Sequence, residues 1–115
     1  MSADANRPRL PRTAALGPGR GDQPRLLIDA PAGSAEIHLF GAHLKAWTPR
    51  GGRPVVFVSQ RARFDGETAI RGGIPLCLPW FTAGPRGTSR PKHGWARIMN
   101  WSLRSVESTS GGGVR

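Results

Sequence analysis

The sequence predicts an all-β fold, an antiparallel β-sandwich. Apolar residues come in short runs, not in the i, i+3, i+4 spacing of an amphipathic helix. Turn-forming residues separate the runs at close intervals, drawn from 16 glycines and 11 prolines among 115 residues. No stretch has the length and periodicity of a convincing helix. The chain is long enough for one small domain.

Residues 1–23 contain Pro8, Pro11, Pro18, Gly17, Gly19 and Gly21 with few apolar side chains, and are expected to be a disordered leader. A partial β-sandwich domain is expected over residues 24–107. Leu26, Leu27 and Ile28 form its first strand, ended by Asp29-Ala30-Pro31-Ala32-Gly33. Residues 35–40 alternate, placing Ile37 and Leu39 on one face and Glu36 and His38 on the other. Gly41 permits a bend. In residues 43–48, Leu44 and Ala46 face opposite His43, Lys45 and Trp47. Pro49-Arg50-Gly51-Gly52 has hairpin-turn chemistry. Residues 55–58 are β-branched and aromatic, and too short for a buried helix. The run 74–81 carries Pro75 and Pro79, which excludes a regular central strand. Residues 82–91 are a loop, and 98–106 read as a final strand with Met99, Trp101 and Leu103 on one face. On this reading His38 and His43 are strand-surface residues, and Trp47 and Trp101 belong to the core. About six strands bury too little apolar area to close both faces of a sandwich. Residues 108–115 are therefore expected to be a flexible, truncated tail, and the sequence reads as the beginning of a larger domain.

The formal net charge is +10, from 17 Lys and Arg against 7 Asp and Glu. Lys45 and Lys92 are the only lysines. A basic excess of this size suits an anionic partner. The arginines are scattered, however, so the global charge reads as a coding preference for arginine and not as a nucleic-acid footprint. Cys77, the single cysteine, lies in an apolar run and reads as a buried, inert thiol. No apolar stretch is long enough to span a membrane, and no signal core stands at the N-terminus. The expected setting is a reducing cytoplasm.

The chemistry concentrates in Ala69-Ile70-Arg71-Gly72-Gly73-Ile74-Pro75-Leu76-Cys77-Leu78-Pro79-Trp80-Phe81 and in Lys92-His93-Gly94-Trp95-Ala96-Arg97. Arg71 precedes a glycine pair, the signature of close backbone approach or positive φ at a ligand-facing edge. Arg71 and Arg97 offer two guanidinium forks, each able to engage two oxygens of a phosphate. His93 sits in a His-Gly turn beside them. The three histidines lack zinc-ligand spacing. Asp65 and Glu67, two apart in a turn, read as solvated and not as a catalytic carboxylate pair. Trp80 and Trp95 have the faces to stack on a sugar, although a tryptophan in a β-rich chain more often packs in the core.

These residues resemble the D-hexose-6-phosphate mutarotases, or glucose-6-phosphate 1-epimerases, of the aldose 1-epimerase superfamily. The resemblance rests on Phe40-Gly41-Ala42-His43-Leu44-Lys45-Ala46-Trp47, Val58-Ser59, Phe64-Asp65-Gly66, Ile70-Arg71-Gly72-Gly73-Ile74-Pro75, Pro79-Trp80-Phe81, His93-Gly94-Trp95-Ala96-Arg97 and Trp101, in that order. It implies the N-terminal portion of a galactose-mutarotase-like β-supersandwich. It also implies interconversion of the α and β anomers of glucose 6-phosphate and similar hexose 6-phosphates. By the same match Arg71 and Arg97 contact phosphate or sugar, and His93 orients the sugar. Lys92 stands where relatives often carry glutamine. Small-molecule hexose 6-phosphate is the implied partner, with no nucleic acid, no membrane, no cofactor, no metal and a monomeric state. The family's acid, in a His-x-Tyr-Phe segment, and its base, in a Glu-Pro-Gly segment, are expected beyond residue 115, so no catalytic residue is assigned here. The alternative is a non-catalytic β-domain that binds nucleic acid or a sugar phosphate. Salt separates the two, since nucleic-acid affinity falls steeply with ionic strength.

Overall fold

The computed structural model describes residues 8–115. Its regular part is one antiparallel meander in which β1 (Ala14–Pro18), β2 (Pro24–Ala30), β3 (Gly33–His38) and β4 (His43–Pro49) lie side by side in chain order. Helix is confined to two 3-10 turns, Arg20–Asp22 and Ala96–Ile98. The chain is therefore all-β and antiparallel, as expected. The count of about six strands is not what forms. Four strands make the only sheet among the described residues, and most of the remaining chain is tied to it and to itself by isolated bridges.

The expected leader needs correction. Residues 1–7 lie outside the described residues, but Ala14–Pro18 pairs with β2, from Ala14 opposite Ile28 to Pro18 opposite Pro24. As an edge strand β1 tolerates its terminal proline, whose missing N–H costs no ladder bond on the open side. The Gly19 amide closes the turn onto the Gln23 carbonyl at 2.8 Å. Proline and glycine on both flanks hide the short Ala-Ala-Leu run from a composition argument, and the ladder offered by β2 overrides that composition.

The decisive irregularity is between β3 and β4. Glu36 pairs with Ala46, but Ile37 pairs with Leu44, so Lys45 is an extra residue in a bulge. Beyond it His38 stands opposite His43 at the closed end of the hairpin. The face expected to meet solvent is the covered one. Phe64 lies against it, with the His38 ring at 4.9 Å and the Arg20 and Lys45 cations 4.7 and 5.2 Å from its centroid. Beneath, Glu36 Oε1 accepts from Lys45 Nζ at 3.1 Å and pairs with Arg25 Nη1 at 3.3 Å. His38 and His43 are 0% and 1% exposed, not surface residues. Alternation decides which side chains share a face; it does not decide which face a distant phenylalanine will cover.

The apolar core gathers above this polar layer. Phe40, Ala62, Phe64 and Ile70 pack together, with Val58 and Ile98 against them. The C-terminal segment is stitched on through Phe40 and Asn100. Gly41 donates to the Met99 carbonyl at 2.7 Å and Trp101 donates to the Leu39 carbonyl at 3.0 Å. Those few bonds replace the strand expected at 98–106. Residues 55–58 likewise make two single bridges, Trp47 with Val56 and Val58 with Gly72, because Pro54 withholds a donor and Val55 and Phe57 stay exposed. Trp47 and Trp101 are 37% and 40% exposed, not core. Trp47 stands opposite Ala35, on the face Phe64 leaves uncovered, and the Trp101 indole is held at the surface by the Ala96 carbonyl at 2.9 Å. The expected flexible tail closes into a small hairpin, with Glu107 and Arg115 exchanging two backbone bonds of 2.8 Å. Among the described residues, no helix is long and apolar enough to cross a membrane.

Burial pushes the His38 and His43 pKa values below the ordinary 6.5, and Lys45 and Arg25 push His38 the same way against the opposing pull of Glu36. The folded chain therefore refuses protons that the unfolded chain accepts. Stability is expected to be flat above pH 6.5 and to fall as pH drops below it, toward the depressed folded-state values. Thermal unfolding from pH 8 to pH 5 measures this, and His38→Asn should make the profile shallower, leaving the share of His43. A midpoint that rises on acidification would contradict it.

Candidate functional site

The site is built on one close approach of backbones. The bridge between Val58 and Gly72 is flanked by bonds from the Ser59 amide to the Arg71 carbonyl, 2.9 Å, and from the Gly73 amide to the Phe57 carbonyl, 2.8 Å. On the other side the Ile74 amide donates to the Leu44 carbonyl of β4 at 2.9 Å. Side chains do not fit in the resulting gap. A Cβ on Gly72 would lie 2.6 Å from Val58 Cα, and one on Gly73 would lie 2.3 Å from the Leu44 carbonyl oxygen. Both glycines also have positive φ, 97° and 66°. Ile70 anchors the segment in the core at 5% exposure, and Arg71 is turned out to solvent at its edge.

Buried His43 fastens the same turn from below. Its Nε2 lies 2.7 Å from the Gly72 carbonyl, which only accepts, so Nε2 carries the proton and donates. Desolvation holds this ring neutral, against the upward pull of the carbonyl. His43 is thus a positioning residue for the turn that presents Arg71. Sequence reasoning missed it. The only signal was its place in the run that ends in Trp47, and alternation alone assigned it to the surface.

The second limb enters from residues 92–97. His93 has φ 64°, an unfavoured left-handed conformation, and two bonds to Thr82 hold it there. Its amide donates to the Thr82 carbonyl at 2.7 Å, and the Thr82 amide donates to His93 Nδ1 at 2.9 Å. Because Nδ1 accepts, the neutral ring carries its proton on Nε2, as a donor. Phe81 packs on the imidazole with centroids 4.9 Å apart. Arg97 follows the buried Ala96 in the 3-10 turn. Its Nη2 donates to the Lys92 carbonyl at 3.1 Å, and its Nε is buried without a hydrogen-bond partner.

These limbs meet in one open cleft of about 860 Å³. Arg71, Lys92, His93 and Arg97, the four residues singled out from sequence, all line it. Ser59, Cys77 and Phe81 line it too, none of them assigned to the site from sequence. Trp80 and Trp95 do not line it. They pack edge to face on each other at 4.7 Å, and the Trp80 indole donates to the Pro91 carbonyl at 2.8 Å. Asp65 closes its own turn, accepting from the Thr68 and Glu67 amides and the Thr68 hydroxyl, which pull its carboxyl down to about 2. No carboxylate lines the cleft.

Comparison with known proteins decides the family. The aldose 1-epimerase family profile matches residues 24–114. The chain belongs to the aldose 1-epimerase family. An Escherichia coli K12 protein named "Putative glucose-6-phosphate 1-epimerase" is 40% identical over 88 residues, covering 76% of this chain and 29% of the relative. A plant protein of the same name, from Cenchrus ciliaris, is 44% identical over 69 residues, 60% of this chain and 20% of its own length. The crystal structure of a Salmonella typhimurium protein described as a putative mutarotase superposes with a TM-score of 0.77 at 31% identity, covering 89% of this chain and 34% of that one. The chain thus spans about a third or less of the length of these family members.

Gly73→Ala is expected to destabilise the chain by about 1–3 kcal/mol, the cost of a strained positive φ, with the Leu44 contact added. Chemical denaturation measures the loss. A neutral substitution would show that the turn relaxes freely and that Arg71 is not rigidly presented.

Proposed function

We propose that the cleft is the substrate-binding floor of a hexose-6-phosphate mutarotase, which interconverts the α and β anomers of glucose 6-phosphate and similar sugars. The observation that carries this reading is the convergence of Arg71, Lys92, His93 and Arg97 on one cleft. Phosphate and ring hydroxyls ask for planar, charge-assisted donors, and the two arginines supply them. His93 offers a donor at Nε2, oriented by Thr82 and Phe81. Lys92 brings an ammonium to the cleft, which suits an anion better than a hydroxyl.

Ring opening needs the anomeric hydroxyl deprotonated while the ring oxygen is protonated. Closure on the other face of the aldehyde then gives the second anomer, so one base and one acid suffice. The floor binds and orients. It holds no carboxylate to serve as the base, and the Nδ1 of His93 is already engaged. The 115-residue chain alone is therefore expected to bind glucose 6-phosphate without speeding its anomer exchange.

Titration calorimetry and exchange NMR with glucose 6-phosphate test this together. Arg71→Gln and Arg97→Gln should each weaken binding about tenfold or more, the worth of a charge-assisted hydrogen bond. Exchange clearly above the spontaneous rate and lost in Arg97→Gln would place a working acid–base pair within the chain. Tight, steeply salt-dependent binding of single-stranded DNA with no competition from the sugar phosphate would favour a nucleic-acid module instead.

A further inference from the structure

Residues 81–93 supply Phe81, Lys92 and His93 to one wall of the cleft, yet none of the thirteen is fully buried. With no anchor in the core, the segment is held by its hydrogen bonds, and those bonds are nearly all its own. The Gly84 amide donates to the Phe81 carbonyl at 3.0 Å, the Gly87 amide to the Gly84 carbonyl at 3.1 Å and the Ser89 amide to the Ala83 carbonyl at 2.8 Å. The Trp80 indole and the Gly94 amide both donate to the Pro91 carbonyl, at 2.8 and 3.1 Å. Among the described residues, only the bond from Arg97 Nη2 to the Lys92 carbonyl, 3.1 Å, ties the segment to anything beyond residues 80–94. Below it the fold is firm. Leu78 bridges Gly94, and the Leu78 carbonyl accepts from the amide of buried Ala96 at 3.1 Å.

The strain sits at the neck. Thr82 and His93 both hold left-handed backbone, φ 49° and 64°. That region is unfavourable for any side chain and most for a β-branched one such as threonine. Each residue is kept there by the other, through the His93 amide on the Thr82 carbonyl and the Thr82 amide on His93 Nδ1. Loss of the imidazole bond frees both to relax together. The same ring faces the cleft, with its proton on Nε2. When that N–H is given to an acceptor, Nδ1 gains electron density and accepts more strongly from the Thr82 amide.

We infer that residues 81–93 are a strap that opens and closes one wall of the cleft as a unit, latched by the Thr82–His93 clasp, and that a ligand accepting from His93 Nε2 tightens the latch. Thr82 is then a positioning residue that acts through His93. The strap and its latch stand on geometry alone, whereas their coupling to ligand rests on the hexose-phosphate reading. By linkage, the factor by which ligand favours the closed strap is the factor by which closure favours ligand.

Amide hydrogen exchange on the 115-residue chain tests this, with glucose 6-phosphate as the probe. Without ligand, the amides of Thr82, Gly84, Ser89 and His93 are expected to share one opening free energy, lower than that of the β2–β3 ladder. Unequal values, or values equal to those of the ladder, overturn the strap. His93→Ala should speed exchange at Thr82, Gly84 and Ser89 by about tenfold or more, the effect of one lost hydrogen bond, and leave the ladder within twofold. No change overturns the latch. Equal acceleration of the ladder shows that His93 holds the whole chain, and overturns it as well. Saturating glucose 6-phosphate should slow the strap amides by about tenfold more than the ladder, and His93→Ala should abolish that difference. Glucose 6-phosphate that binds in calorimetry without slowing the strap overturns the coupling and leaves the mutarotase floor standing. Failure of glucose 6-phosphate to bind overturns the hexose-phosphate reading and the coupling with it, and the ligand-free exchange then decides the strap by itself.

Discussion

The approach of the Gly72-Gly73 backbone to Val58 on one side and Leu44 on the other is the contact on which the rest depends. It joins three stretches of chain that no continuous ladder connects. Upstream of it Ile70 enters the core, and Arg71 leaves for solvent one residue later. A side chain at either glycine would push the strands apart at this junction. The His43 bond to the Gly72 carbonyl ties this junction to the end of the β3–β4 hairpin. A single extra residue, Lys45, sets where that hairpin ends.

The fold distributes polarity in an unusual order. Charged and titratable groups sit under Phe64, inside, and large apolar groups such as Phe57, Leu78 and Phe81 sit outside. Glu36 makes this tolerable, because its carboxylate pairs with both Lys45 and Arg25. His38 is left with no hydrogen bond in that layer. Its Nε2 is 3.5 Å from Glu36, an electrostatic contact and not a bond. Such a group is stable only while neutral.

At the site the same chemistry runs the other way. Arg71 and Lys92 are held at the rim, exposed to water, whereas Arg97 is half-buried with its Nε unpaired. Arg97 and His93 have their geometry imposed by intramolecular bonds, whereas Arg71 keeps all its side-chain donors.

The all-β class, the strand centres at 26–28, 35–38 and 43–48, the turn at Pro49–Gly52 and the two motifs that carry Arg71, Lys92, His93 and Arg97 were legible in the sequence. They depend on local alternation, turn chemistry and short motifs that the chain carries within a few positions. The strand ends were not legible: Asp29 and Ala30, read as a turn, continue β2, and Leu39 and Phe40 lie beyond β3. The strand at Ala14–Pro18, the burial of His38 and His43, the exposure of Trp47 and Trp101, and the bridges that replace strands at 55–58 and 98–106 were decided only by tertiary structure. Each depends on a partner many residues away: β2 for the first strand, Phe64 for His38, Gly72 for His43, Ala96 for Trp101. Periodicity reports which side chains travel together. It carries no information on which face a remote segment covers, and the energy of covering outweighs local preference wherever the two disagree.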